Sequence, residues 1–354
     1  MISTNYIQEI LKENRLSAIL VTHPANIIYT SGFTSPQDAV VLITTDSQYL
    51  ITDTRYEFCA PYDVFENFEV IIARETSVFD TAKEMIKEFS GKVAFEGWAL
   101  SVENHKKFPA NKMTADAGRM INILREEKIE EELINIELAA KLTDKAYEFA
   151  VSNIKSGVSE RKLALMIEFF IRDHGGELAF PTIVAAGKNS AYPHAIPSNY
   201  CFTPGDLIIM DLGAKVNNYC ADLTRTVALK KASEKAKDIY STCLRAQIIG
   251  INTACAGVCT KYLNDTAYNA IEKAGYGEYI MHSLGHGVGL EVHEAPTIGK
   301  RTKQMLHENN IITIEPGIYI EGFGGVRIED LVRINDKGCA VLSKAEKAGD
   351  LLII

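Results

Sequence analysis

The chain has 354 residues, 47% hydrophobic and 23% charged, and its 37 Lys and Arg against 46 Asp and Glu leave a formal net charge of −9. That length exceeds what one hydrophobic core usually serves, so two domains are expected, and the acidic balance argues against nucleic acid as the main partner. No run approaches 18 apolar residues, so no membrane span is expected, and the N-terminus MISTNYIQEILKENRL lacks the apolar core of a secretory signal; seven cysteines without a CxxC pair read as reduced thiols of a cytoplasmic protein.

Residues 1 to about 118 read as a small α/β unit. An amphipathic first helix carrying Tyr6, Ile7, Ile10 and Leu11 leads into an apolar run at 18–21, and β-like runs follow at 39–43, 49–51 and 70–72. A charge-rich segment, 117–132, contains LREEKIEEEL, the expected start of one long helix. Leu133, Ile136, Ala140, Tyr147, Ala150 and Ile154 continue it at helical spacing, and Gly157 ends it. The domain boundary is placed between 118 and 125, giving domains 1–120 and 121–354. A further helix starts at the N-cap Ser159 and stops at Gly175-Gly176, and others run roughly over 234–250 and 259–274. Runs at 207–212, 222–229, 310–320 and 326–334 read as strands. The C-terminal region is therefore expected to be α+β, an antiparallel sheet flanked by helices.

Four acids stand out in those strands. Asp211 lies in IIMDLG and Glu315 in IITIEPG, each with apolar residues on both sides, where an ionised carboxylate is costly unless paired or metal-bound. Asp222 in YCADLTRTV shares a face with Thr224 and Thr226, and Glu329 in GVRIEDLV shares one with Arg327. Two hairpin-like units, 207–229 and 311–334, thus present one acid per strand. Any one acid alone reads equally well as an edge residue or a partner of Arg225, Arg327 or Arg333. Four together need balancing charge, and two divalent cations supply it.

The segment HSLGHGVGLEVHE adds His282, His286 and His293, and Gly285, Gly287 and Gly289 argue against a helix there. His194 sits in NSAYPHAIP between two prolines that stiffen its loop. Oxygen-rich ligation with one imidazole suits Mn²⁺, with Co²⁺, Fe²⁺ or Zn²⁺ as alternatives.

These stretches, with GKNSAYPHAIPS, GDLIIMDLGA and EPGIYIEGFGGVRIEDLV, resemble the pita-bread metallopeptidase family over most of residues 125–354. That family includes methionine aminopeptidase, aminopeptidase P and prolidase. The resemblance implies a pita-bread catalytic domain with a smaller creatinase-like α/β domain before it. It also implies a dinuclear centre held by Asp211, Asp222, His286, Glu315 and a bridging Glu329. All five are present, so the non-metal creatinase branch and the ligand-depleted histone chaperones fit poorly. The preceding 118 or so residues, with YLITDTRYEFCA, resemble the proline-specific branch, where His282 and His293 correspond to additional site histidines.

The activity so implied is Xaa-Pro aminopeptidase, removing the first residue from peptides with proline second. Glu315 would accept the proton of the attacking water, and His194 and His293 would contact the oxyanion or the proline nitrogen. His282 would shape the proline pocket and Arg327 would orient Glu329; Tyr319, in EPGIY, is a further candidate to reach the site, although an aromatic in a strand more often reads as core. The alternative within the family is Xaa-Pro dipeptidase (prolidase), restricted to dipeptides. Outside catalysis, the alternative is a peptide-binding module of the same fold, against which the intact ligand set argues. A metal-dependent phosphatase is weakly supported by GHGVG alone. The resemblance also implies a homodimer contacting through its N-terminal domain.

Overall fold

The computed structural model describes residues 4–114, 119–347 and 349–354, so the first residues of the charge-rich segment and of the boundary interval lie outside the described residues. Two units emerge, Met1–Arg125 and Glu126–Ile354.

In the first unit the apolar runs become a mixed six-stranded sheet. Its strands are β1 (Leu16–Val21), β2 (Ala39–Thr44), β3 (Gln48–Asp53), β4 (Glu69–Ala73), β5 (Lys92–Phe95) and β6 (Met113–Thr114). They lie in the order β4-β3-β2-β1-β5-β6. The pairs β1–β2 and β2–β3 are antiparallel, while β1–β5, β3–β4 and β5–β6 are parallel. Helices α1 (Thr4–Glu13), α2 (Pro24–Ser31), α3 (Ala60–Asp63), α4 (Val78–Glu88) and α5 (Val102–His105) accompany the sheet. Ile7 and Leu11, one turn apart on α1, are buried, as the amphipathic spacing requires.

The single long helix expected after residue 117 is two helices, α6 (Met120–Glu126) and α7 (Glu130–Asn153). The break has a local cause. Asn310 Nδ2 donates to the Glu126 carbonyl (3.0 Å), Glu127 bridges to Asn310, and Lys128 N donates to Asn309 O (3.2 Å). The backbone there is committed to another segment and cannot continue the helical ladder. Glu132 then caps α7 by accepting from Ile129 N (3.0 Å).

Within the second unit one construction is used twice, 100 residues apart. Helix α7 turns into α8 (Glu160–Asp173) through Gly157, and α9 (Glu234–Thr253) turns into α10 (Thr260–Lys273) through Gly257. Both glycines hold left-handed backbone, φ 88° and 80°, which a side chain would strain. Each hairpin backs its own core. Leu163, Ile167 and Ile171 pack with Met210, Leu212, Leu223 and Val227. Leu263, Ala267 and Ile271 pack with Ile312, Ile314, Ile328 and Val332.

The strands are β7 (Glu177–Leu178), β8 (Ile183–Ala186), β9 (Leu207–Leu212), β10 (Ala214–Val216), β11 (Tyr219–Cys220) and β12 (Leu223–Ala228), then β13 (Gly285–Gly287), β14 (Glu294–Ile298), β15 (Ile311–Ile314), β16 (Gly317–Ile320), β17 (Gly324–Arg327), β18 (Asp330–Asn335) and β19 (Gly338–Val341). They form sheets β12-β9-β8, β11-β10-β7, β14-β13-β15-β18-β19 and the ribbon β16-β17. This is the expected α+β architecture, with one difference that matters for the site. The runs 310–320 and 326–334 are each broken, at Glu315-Pro316 and at Ile328-Glu329. Pro316 has no N–H for a ladder bond, and Glu329 N donates to Thr224 O (3.1 Å) on β12 instead. Among the described residues no helix is long and apolar enough to cross a membrane, and all seven cysteines are free thiols.

Candidate metal centre

Strand alternation aims the first acid. Met210 and Leu212 point into the core beneath α7 and α8, so Asp211 faces the other way, in register with Thr224 of β12. Asp222 immediately precedes β12, and Glu315 and Glu329 occupy the two strand breaks. Three of the four acids therefore sit at strand ends rather than within strands.

His286 comes from β13, whose neighbours approach so closely that only glycine fits beside it. A Cβ on Gly285 would stand 2.0 Å from Thr313 O, and one on Gly287 2.2 Å from Ala295 O. His286 Nδ1 pairs with Gly287 O (3.1 Å), which leaves Nε2 facing Glu315 Oε1 at 3.2 Å and Asp222 Oδ2 at 3.7 Å.

All five candidate ligands line one cavity of about 760 Å³, together with His194, His282, His293 and Arg327. Every site residue expected from the sequence is thus in one place. His194 and His293 are exposed at its surface, whereas Asp222, Glu329 and Arg327 are buried. Phe180, Pro181, Ile183, Pro193 and Ile196 give the cavity an apolar wall.

The charge balance shows what is missing from the acids. Burial first, and then the neighbouring carboxylates, push Asp222 and Glu329 well above the usual carboxylate range; burial and Glu315 also raise Asp211. Glu315 goes the other way. Burial would raise it, but the His286 hydrogen bond and the positive charges beside it, those of His286 and Arg327 among them, hold it at about 2. Burial alone would lower His286, yet Glu315 and Glu329 lift it to about 9.

Three carboxylate oxygens, Asp211 Oδ1, Asp222 Oδ1 and Glu329 Oε1, are buried without a hydrogen-bond partner among the described residues. Two of these acids are held by their other oxygen: Asp211 Oδ2 by Arg327 Nη2 (2.6 Å) and Glu329 Oε2 by the Thr224 hydroxyl (2.7 Å). Asp222, His286 and Glu329 each offer an atom within 4.8 Å of the others. Asp211 and Glu315 fall outside this tightest set; Asp211 pairs with Arg327 and Glu315 with His286. Buried anionic oxygens lacking donors, beside one imidazole nitrogen, fit a divalent cation.

Arg327 departs from the expected arrangement. Among the described residues it makes no hydrogen bond or ion pair to Glu329. Its Nη2 pairs with Asp211, its Nη1 donates to Tyr319 Oη (2.8 Å), and its Nε donates to Thr224 Oγ1 (3.1 Å), which in turn holds Glu329. Tyr319, read as core, is buried but extends this chain to His282 Nε2 (2.9 Å). Because Arg327 donates to the phenol oxygen, the phenol proton is directed to His282 Nε2, and His282 Nδ1–H donates to Ser283 O (2.8 Å). Burial lowers His282, consistent with this neutral tautomer.

Two threonines were not singled out for the site from the sequence. Thr313 Oγ1 accepts from His286 N (3.1 Å) and donates to Glu315 Oε1 (3.3 Å). Thr182 lines the cavity with a buried hydroxyl. Its sequence context, FPTIVA, carries no signal for either fact. For Thr224 the signal was there: it shares the strand face of Asp222.

Fold and site together define a metallo-exopeptidase. The model of metallopeptidase family M24 matches residues 135–336, and that of the creatinase/prolidase N-terminal domain matches residues 5–126. An Xaa-Pro dipeptidase from Pyrococcus horikoshii is 37% identical over 342 residues, 96% of each chain. Among solved structures, an Xaa-Pro dipeptidase from Bacillus anthracis superposes with a TM-score of 0.93 at 34% identity, covering 98% of each chain. An X-Pro aminopeptidase from Thermotoga maritima superposes with a TM-score of 0.89 at 34% identity, covering 99% of each. The chain belongs to metallopeptidase family M24.

Proposed function

We propose that this chain is an Xaa-Pro dipeptidase whose residues 121–354 form the catalytic domain and 1–120 a separate creatinase-like domain. Asp211, Asp222, His286, Glu315 and Glu329 would hold two divalent cations, Mn²⁺ foremost. The observation that carries the site is the trio of buried, donor-free carboxylate oxygens facing one cavity with His286. The likeness to the Xaa-Pro dipeptidases of Pyrococcus horikoshii and Bacillus anthracis supports the dipeptide substrate, so this reading replaces the aminopeptidase expected from the sequence.

Divalent cations held there supply Lewis-acid polarisation of a carbonyl and activation of water. The chain's own residues do the rest. Glu315, held ionised, would accept the proton of the attacking water and pass it to the departing proline nitrogen. His293 and His194, exposed at the cavity surface, contact the developing oxyanion and the departing proline nitrogen. Burial and then the charge of His286 lower His293. His282, locked by Tyr319 and Ser283, fixes one wall of the proline pocket. An Xaa-Pro amide has no N–H, so a site that grips the carbonyl and the free amine succeeds where strand-pairing proteases lose a hydrogen bond.

Xaa-Pro aminopeptidase is the second reading, and one observation favours it. A dipeptide's own carboxylate calls for a cation, yet Arg327 is the single Lys or Arg among the described lining residues and is already paired with Asp211. Hydrolysis of Ala-Pro and Ala-Pro-Ala by Mn²⁺-loaded and chelator-stripped protein separates the readings. A dipeptidase favours Ala-Pro at least tenfold in kcat/KM. Equal or faster cleavage of the tripeptide establishes the aminopeptidase instead, and full activity after stripping removes the metal site.

A further inference from the structure

The conspicuous buried charge that the mechanism leaves unused is Arg225. It lies on β12 between Thr224 and Thr226, and its side chain is 3% exposed. Every guanidinium N–H has an acceptor. Nη1 donates to Glu329 O (2.5 Å) and Thr224 O (3.1 Å), Nη2 to Asp330 Oδ1 (2.7 Å) and Ala345 O (2.8 Å), and Nε to Glu346 O (3.3 Å). Asp330, fully buried, is engaged on its other oxygen by Gln247 Nε2 (2.7 Å) and by Lys347 Nζ.

We propose that Arg225 is the positioning residue of the metal centre, fixing the backbone at Glu329-Asp330 so that the Glu329 carboxylate is held toward Asp222 and His286. The proposal rests on the reading of Glu329 as a ligand. Three observations support it. First, Ile328 and Glu329 fall between β17 and β18 and so lack a ladder of their own to set their course. Second, β12 replaces that ladder residue by residue: Thr226 Oγ1 bonds the Arg327 backbone at both N and O, Thr224 bonds Glu329 N and its carboxylate, and Arg225 bonds Glu329 O and the Asp330 side chain. Third, a buried ion pair is an uneconomical source of stability, because two desolvated charges rarely outperform a well-packed apolar pair. Its best-attested use is to specify one register. Here the register in question is the one that presents a carboxylate to the site.

A planar fork with five fixed donors does this, and an ammonium does not. Lys at 225 keeps the charge, has at most three donors, and cannot span Glu329 O, Asp330 and the 345–346 carbonyls together. Geometry and charge are thereby separable.

The test is calorimetric titration of Mn²⁺ into chelator-stripped full-length protein, with melting temperature measured in parallel. Wild type, Arg225→Lys, Arg225→Met, Lys347→Met and Glu329→Gln are compared with Ile171→Ala, a core change in α8 chosen to lose stability without approaching the site. Both Arg225 variants are expected to bind Mn²⁺ about 10- to 100-fold more weakly per folded molecule, as removal of a ligand's orienting partner does. Lys347→Met, which removes one anchor of Asp330 from a partly exposed position, should weaken binding in the same direction by less, and stands in if the Arg225 variants fail to fold. Ile171→Ala should melt earlier with Mn²⁺ affinity unchanged. Wild-type affinity in Arg225→Lys, or in Lys347→Met where the former does not fold, overturns the positioning role and leaves the metal reading intact. Wild-type affinity in Glu329→Gln overturns the ligand reading and the proposal with it.

Discussion

Stripping the metal should make the catalytic unit less stable as pH rises from 7 to 9. Asp211, Asp222 and Glu329 have folded-state pKa values above their ordinary 3.8, 3.8 and 4.5. A group raised on folding contributes stability that is complete below its unfolded pKa and is lost as pH rises through the folded one. His286 obeys the same rule, moving from 6.5 to about 9. Between pH 7 and 9 its proton is held by the folded chain and released by the unfolded one, which costs about 2 kcal/mol over the interval. Glu315, held at about 2, has the opposite sign, but its contribution is complete above pH 5 and flat in this window. His282 and His293, both lowered, add stability only up to about pH 6.5. Buried Cys243 and Cys339, pushed up by burial, reinforce the loss near pH 9. For a unit of this size 2 kcal/mol is about 4–8 °C in Tm. Calorimetric melting of chelator-stripped protein at pH 7, 8 and 9 should show that fall, His286→Gln should flatten it, and bound Mn²⁺ should abolish it by taking up the deprotonated ligands. A stripped-protein Tm that is level or rises over this range refutes the charge balance derived for the site.

Thr224→Val removes one hydroxyl at nearly constant volume, leaving Glu329 Oε2 without its donor and Arg327 Nε without an acceptor. Each charge-assisted bond contributes about 1.5–3 kcal/mol, so Mn²⁺ binding by titration calorimetry should weaken about 10- to 100-fold and Thr224→Ser should restore it. Gly285→Ala places a methyl 2.0 Å from Thr313 O and must part β13 from β15, costing about 1–3 kcal/mol by thermal melting and displacing His286. Gly338→Ala, with open space around it, should stay within about 0.5 kcal/mol of wild type.

How far the sequence could be read follows from what each residue's neighbours in the chain disclose. An acid between apolar residues, as at Asp211 and Glu315, is visible because its cost is local. The helix start at Ser159 is visible for the same reason, whereas α7 stops at Asn153, short of Gly157. The strand break at Glu329 depends on β12, about a hundred residues earlier, and no local pattern announces it, whereas the break at Pro316 is signalled by the proline itself. Arg327 reaching Asp211 rather than Glu329 is likewise a matter of how β17 meets β12 and β9. Tyr319 reads as core because it is core; only its phenol oxygen belongs to the site.

The two similar helix hairpins each precede one pair of the candidate ligands: Asp211 and Asp222 follow α7–α8, and Glu315 and Glu329 follow α9–α10. Neither half holds a complete donor set. A bound ion therefore acts as a rivet through both, and its binding free energy is realised only where both halves are folded and docked. Losing the metal should then do more than silence a peptidase: it should let one molecule melt as two.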